Sequence, residues 1–297
     1  MTEQVPVERL PDEGRPFGGP QRLGWLLPLL GRVSRPTSGN LLAALTIAQG
    51  LTSRYRWGVA RTWSAAHTRS RWDRYRLTFA LFANHGRFLA DEIRFWRDEA
   101  EGLTRDVTIE GREHLDALQG GAILLGLHIG PPVTGRTLAA LGYPVRTAGR
   151  LGDAYDAGGK TATPRERADG LQQARVLIRN GTWLYMAADG RGREAFRIAV
   201  PGREAIIRAG WLALRRVTGA PVLPVVCRRD GVRRIITVHA PLHAVSPDRA
   251  EDESRCRAVL SALLNDYADR FPEQCRYVLV SWRRDRRAAQ TRRPLSP

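Results

Sequence analysis

Apolar residues recur at helical spacing through the first third of the chain and gather into short unbroken runs after it. In residues 39–66, Leu41, Leu42, Leu45, Ile47 and Leu51 stand among polar positions and lead into Arg54, Tyr55, Arg56 and Trp57, which predicts a helix. Its apolar face has two readings: a membrane-interfacial helix with aromatic and arginine anchors at its end, or a core-facing helix that ends in a solvated basic turn. Residues 70–100 predict a second helical region, with Tyr75, Phe79, Phe82, Phe88, Ile93 and Phe95 on its apolar faces and a break at Asn84 and Gly86.

Beyond residue 105 the pattern shortens. Residues 107–111 read as a strand and turn, 113–118 as a short helix, and 121–130, GAILLGLHIG, as a strand whose run of Ala, Ile and Leu lacks polar alternation. A strand of that kind is covered on both faces and belongs to an α/β sheet, whose reactive groups sit where strands end. This one runs into His128, Ile129 and Gly130, and Pro131 and Pro132 then prevent its continuation. Residues 134–141 read as a helix ending at Gly142, and 144–147 as a parallel strand ending near Arg150. Residues 152–169 read as a polar loop, 171–179 as a helix, and 182–187 as a strand ending at Ala188, Asp189 and Gly190. Gly159, Lys160 and Thr161 resemble the end of a phosphate loop, but the spacing demands glycine at 154 and the residue is Ala154. Residues 200–203 predict a turn, 204–217 a helix capped by Gly219, and 221–227 a further buried strand. The expected fold is α/β: a mixed, largely parallel sheet flanked by helices, behind a helical N-terminal region.

Composition adds one departure from an ordinary globular chain. Of 297 residues 43% are hydrophobic, which is unremarkable in itself, but the net charge is +17 and every basic residue except Lys160 is arginine. Such a surface attracts polyanions: anionic lipid headgroups, phosphorylated carriers or nucleic acid. Cys227, Cys256 and Cys275 are odd in number and widely spaced, which fits a reducing compartment and suggests neither a disulfide framework nor a zinc knuckle. Residues 1–20 are rich in Pro, Gly and acids and read as a disordered lead. The apolar stretch 24–30 is interrupted by Pro28 and falls short of the ~20 residues of a spanning helix. The expected organisation is a lead over 1–20, a helical and possible membrane-interfacial region over 21–104, an α/β core over 105–284 joined to it as one domain, and a basic disordered tail over 285–297.

The order GAILLGLHIG, NGTWLYMAADGRG, VPGRE and AGWLALRRVTGAPVLPVV resembles the lysophospholipid acyltransferase superfamily, in particular the bacterial lipid A (lauroyl and myristoyl) acyltransferase type. The similarity takes in Asn84, IEGREHLDAL at 109–118 and FPEQCRYVLVSWRR at 271–284, and so covers roughly residues 75–284. It implies a glycerolipid acyltransferase-like fold. It also implies transfer of a fatty acyl group from an acyl carrier protein or coenzyme A thioester to a hydroxyl of a lipid or glycolipid, peripherally on the cytoplasmic face of the inner membrane. No metal or cofactor is implied beyond the thioester co-substrate. A hydroxyl needs a base as it attacks a thioester, and His128 takes that role. The Gly130 turn amides or a nearby arginine are the expected donors to the oxyanion. By the resemblance, Arg150 serves an anionic acceptor or carrier, Asp189 matches an aspartate after the third strand, and Gly202 with Arg203 match a glycine turn that contributes to acceptor binding.

One position departs from the pattern. The resemblance places Asp or Glu five residues after the histidine, to orient the imidazole, and here that residue is Val133. Asp189, Asp153 or Asp156 reaching His128 in space, or a backbone carbonyl, are the possible substitutes. Without one, the chain reads as a non-catalytic lipid-binding relative. A nucleic-acid reading rests on charge and the basic tail 283–293 alone; no recognition motif accompanies them, and no nucleic-acid partner is expected.

Overall fold

The computed structural model describes residues 33–95, 104–147, 164–189 and 194–280. Three helices come first: α1 (Arg35–Thr52), α2 (Arg54–His67) and α3 (Arg71–Phe95). The single helix expected over 39–66 is two, because the chain turns at Ser53, whose hydroxyl accepts from the Arg56 amide at 3.3 Å and caps α2. The break expected at Asn84 and Gly86 is absent, and α3 runs through both. Gly86 serves helix crossing instead: a methyl there would overlap the Leu42 carbonyl of α1, and the Thr46 hydroxyl of α1 donates to the Phe82 carbonyl of α3 at 2.7 Å.

The α/β portion follows as β1 (Val107–Glu110), α4 (Arg112–Asp116), β2 (Ala122–Gly126), α5 (Thr134–Ala140), β3 (Val145–Thr147), α6 (Pro164–Arg179) and β4 (Trp183–Ala187). It continues with β5 (Glu194–Val200), β6 (Arg203–Arg208), α7 (Gly210–Thr218), β7 (Val222–Asp230), β8 (Arg233–Val238), α8 (Arg249–Arg270), a 3₁₀ turn (Pro272–Gln274) and α9 (Tyr277–Val280). Six strands form one sheet in the order β1-β8-β7-β2-β4-β3, parallel except for the β7/β8 pair, so the expected mixed, largely parallel sheet with flanking helices is present.

Two assignments are corrected. Residues 204–208, expected to open a helix, form β6 and pair antiparallel with β5 across the two-residue turn Pro201-Gly202, where Gly202 has φ +72°. Alternation decides it, since Ala205 and Ile207 of β6 and Phe196, Ile198 and Val200 of β5 are buried. Helix α6 begins at Pro164, seven residues before the expected start, which turns the end of the expected loop into helix.

The strand expected at 121–130 is the buried centre of the sheet. All five residues of β2 are buried, and its alternate side chains feed two cores. Ile123 and Leu125, continued by Leu127 and Ile129, join one core with Leu184, Met186, Leu260 and Leu264. Ala122 and Leu124 join the other with Leu115, Leu138, Trp183 and Ile236. The period of two therefore sets His128 on the same side as Ala122 and Leu124.

Candidate functional site

His128 and Asp189 meet at the carboxyl end of the sheet. Strands β2 and β4 run parallel with Gly126 opposite Ala187, and Ala188 donates its N–H to the Gly126 carbonyl at 2.7 Å just past both strands. Carrying that register two residues further places Asp189 opposite His128. One carboxylate oxygen, Oδ1, accepts from the His128 backbone N–H at 2.9 Å and lies 3.0 Å from the ring Nδ1. The bond to Nδ1 assigns the ring proton to that nitrogen and leaves Nε2 with its lone pair. The His128 side chain is 22% exposed, while that of Asp189 is 1% exposed, so the imidazole opens to solvent over a buried carboxylate.

Burial alone pushes the Asp189 carboxyl up. The charge of His128, the hydrogen bonds from its ring and backbone, and the charge of Arg208 outweigh burial and hold Asp189 below the usual carboxylate range. Its second oxygen, Oδ2, is buried without a hydrogen-bond partner.

Val133 does not supply an acid. It is 2% exposed and stands at the N-cap of α5. Of the three substitutes considered, Asp189 is the one in contact with His128; Asp153 and Asp156, like Arg150, lie outside the described residues.

The Gly130 turn is built differently from expectation. Gly130 has φ +62°, and a methyl on it would strike the Cys227 carbonyl of β7. Its N–H donates to the Gln274 carbonyl at 2.8 Å, the Ile129 N–H to the Leu127 carbonyl at 2.7 Å and the His128 N–H to Asp189. All three amides are thus occupied, and none is open to an oxyanion. Gly202 and Arg203 also stand apart from His128. Asp189 bridges Ile207, and Gly202 lies five residues before Ile207, in the turn that opens β6, roughly 17 Å away at a strand's rise. Gly202 packs against Thr62 and Ala66 of α2, and Arg203 donates to the Val278 carbonyl at 2.6 Å. They border a groove of about 470 Å³ with Arg54, Tyr55, Val59 and Arg197, and His128 is not among its lining residues.

Residues the sequence reading missed complete the surroundings. Tyr185 of β4 fits a slot made by two glycines, since a methyl on Gly126 would strike its hydroxyl and one on Gly135 its ring. Burial pushes its pKa up to about 12 despite the Thr134 hydroxyl beside it, so it remains a neutral phenol. The segment after α8 closes the turn from the other side. Ile129 forms an antiparallel bridge with Cys275, and the Tyr277 N–H donates to the His128 carbonyl at 3.0 Å. Cys275 and Tyr277 are buried in the core that receives Ile129, and Arg276 between them is not part of it; its NH1 donates to the Gly130 carbonyl at 3.4 Å.

The described residues contain one grouping with metal-ligand character, His243, Asp252 and Cys256. A guanidinium already fills it: Arg215 NH1 lies 2.6 Å from Asp252 Oδ1 and 3.4 Å from Cys256 Sγ, in a cluster that joins α7 to α8. Burial pushes the Cys256 thiol up to about 11 and the Cys227 thiol to about 12, so neither is a thiolate at neutral pH.

No protein-family model matches the chain, and no curated protein does. Among solved structures, the chain is similar to the crystal structure of the 1-acyl-sn-glycerophosphate (LPA) acyltransferase PlsC from Thermotoga maritima, at 16% sequence identity and a TM-score of 0.35, over 76% of this chain and 96% of that one. A likeness at that TM-score carries no argument about this chain's chemistry.

Proposed function

We propose that the protein is an acyltransferase in which the His128–Asp189 pair activates a hydroxyl of a lipid or glycolipid for attack on an acyl thioester. The observation that carries this reading is the 3.0 Å contact between His128 Nδ1 and the buried Asp189 carboxylate, which leaves the Nε2 lone pair free on a ring that is 22% exposed at the end of a sheet. The ordered sequence resemblance supplies the reaction class. As the acceptor oxygen forms its bond to the thioester carbonyl carbon, its proton passes to Nε2 and the carbonyl π pair moves onto oxygen. Collapse of that oxyanion breaks the C–S bond, and Nε2 returns the proton to the leaving thiolate. Asp189 stabilises the imidazolium between the two steps. The non-catalytic alternative rests on Val133, and it loses its main support when Nδ1 has another carboxylate partner.

The reading includes a lipid surface, reached peripherally. No described helix is long and apolar enough to cross a membrane. Helix α1 nevertheless has no charged residue from Pro36 to Thr52. Leu41, Leu45 and Leu51 on it are 46%, 41% and 55% exposed, and with Ala44 and Ala48 they form an outward apolar stripe. Arg54 and Arg61 are exposed on the next helix, as a surface suited to anionic headgroups requires. The lipid A type of acceptor and the carrier-protein or coenzyme A donor belong to this proposal on the resemblance alone.

The test is transfer of a labelled acyl chain from acyl carrier protein or acyl-coenzyme A into a total lipid extract. The native chain forms a labelled lipid with at least one donor and the His128→Ala variant does not. Equal background labelling by both proteins with both donors contradicts the reading.

A further inference from the structure

The geometry points to Arg276 as a further catalytic residue of the proposed transfer, the cation that stabilises the oxyanion on the thioester carbonyl. This inference rests on the acyltransferase reading and adds to it the group that takes the developing negative charge.

The position follows from the contacts that close the His128 turn. Ile129 and Cys275 form an isolated antiparallel bridge, the Tyr277 N–H donates to the His128 carbonyl at 3.0 Å, and Arg276 sits between these two anchors. Ile129, Cys275 and Tyr277 turn into one core, to which neither His128 nor Arg276 belongs. The Arg276 guanidinium feels both Tyr185 and Asp189, and Asp189 is the residue that holds His128.

Its hydrogen bonding leaves the charge available. NH1 donates to the Gly130 carbonyl at 3.4 Å, a long bond that orients the fork toward the His128 turn, and Nε is buried with no partner. No described carboxylate stands within ion-pairing distance of it, Glu92 and Asp189 acting on it only through space. The buried Arg215, by contrast, is neutralised directly by Asp252 at 2.6 Å. A guanidinium held beside a base, desolvated and without a counter-anion, is arranged for charge that appears only during reaction. The site also needs such a group, because the amides of His128, Ile129 and Gly130 described above are spent on other acceptors.

In the step itself, the acceptor oxygen bonds to the carbonyl carbon, the π pair moves to the carbonyl oxygen facing Arg276, and the acceptor proton goes to His128 Nε2. When the oxyanion collapses, the C–S bond breaks and the thiolate takes that proton. Arg276 exchanges no proton and contributes charge alone.

The experiment compares native protein with Arg276→Gln and Arg276→Lys, each first shown to be folded by thermal melting. Transfer kinetics are paired with binding of two inert donor analogues, an acyl trifluoromethyl ketone, whose tetrahedral hydrate ionises to an oxyanion far more readily than an ordinary diol, and the matching methyl ketone, which stays a neutral carbonyl. The expected result is a fall in kcat of ~10²–10³ for Arg276→Gln at little-changed KM, with partial rescue by lysine. Binding of the trifluoromethyl ketone weakens at least tenfold while the methyl ketone binds as before. A higher KM at unchanged kcat, or equal weakening of both ketones, overturns the proposal and makes Arg276 a ground-state or structural residue. The two readings fail differently: native protein that transfers no acyl group contradicts the acyltransferase reading and takes this proposal with it, whereas transfer that needs His128 but not Arg276 contradicts this proposal alone.

Discussion

Asp189 stands opposite His128 because β2 and β4 pair in parallel with a constant offset, and the register that sets Gly126 against Ala187 brings the carboxylate to the imidazole two residues later. The orienting acid thus comes across the sheet from a neighbouring strand, and the turn after the histidine is free to be apolar. This predicts the behaviour of Val133. A Val133→Asp variant gains no activity, since Nδ1 already has its acceptor, and it lowers the melting temperature because a carboxylate enters a site that is 2% exposed. Activity and melting of the purified variant check this; a marked rise in turnover would mean that Asp189 is a poor orienting group.

Acid weakens the fold in a defined window through His85. Burial first, then the charges of Arg276 and Arg56, push its pKa from 6.5 down to about 3. The unfolded chain therefore binds a proton that the folded chain refuses, and stability falls as pH drops from about 6.5 toward 3, by at most ~1.4 kcal/mol per pH unit. Asp189 adds to this at lower pH: its depressed folded pKa contributes stability above the unfolded carboxylate value that is lost as pH falls through the folded one. Denaturant unfolding at pH 7, 6, 5 and 4 reads the slope. His85→Gln flattens it between pH 6.5 and 4, and an unchanged slope in that variant refutes the assignment to His85.

The crossing of α1 and α3 depends on the missing side chain at Gly86. Gly86→Ala forces a methyl against the Leu42 carbonyl and the Thr46 hydroxyl, and it costs ~1–3 kcal/mol even though alanine is the better helix former. Gly58→Ala on α2, where nothing lies within reach of the added methyl, is neutral or slightly stabilising. Chemical denaturation of the two variants side by side separates packing from propensity, and equal stabilities would remove the packing argument.

Vesicle association divides the α1 stripe from the bulk charge. Leu41→Asp with Leu45→Asp reduces pelleting with anionic vesicles at least severalfold at an unchanged melting temperature, because both side chains are exposed. Neutralising Arg54, Arg56 and Arg61 together weakens the same association and its salt dependence. Undiminished pelleting of the double aspartate variant would confine any membrane contact to other surfaces.

How much of this was legible beforehand depended on whether the signal was local. The β2 run and its prolines marked His128 as a strand-end residue without any tertiary knowledge. Asp189 was visible as another strand-end residue, but its pairing with His128 required knowing that β2 and β4 are neighbours, and strand order is not written in either strand. Residues 204–208 misled because their apolar positions run on into those of α7. The alternation of Phe196, Ile198 and Val200 in the preceding strand was the available correction, since a strand in that place needs a partner. Arg276 lay inside a stretch quoted only for its resemblance, where three alternating residues are too few to declare a face.

The most direct measurement is acyl transfer by native protein, Asp189→Asn, His128→Ala and the double variant, with kcat determined for each. The account predicts that Asp189→Asn, which keeps shape and loses charge, lowers kcat by ~10²–10⁴, that His128→Ala abolishes turnover, and that the double variant is no worse than His128→Ala because the two residues act as one unit. Native-like turnover of a folded Asp189→Asn protein would contradict the central claim that the carboxylate across the sheet makes His128 a base.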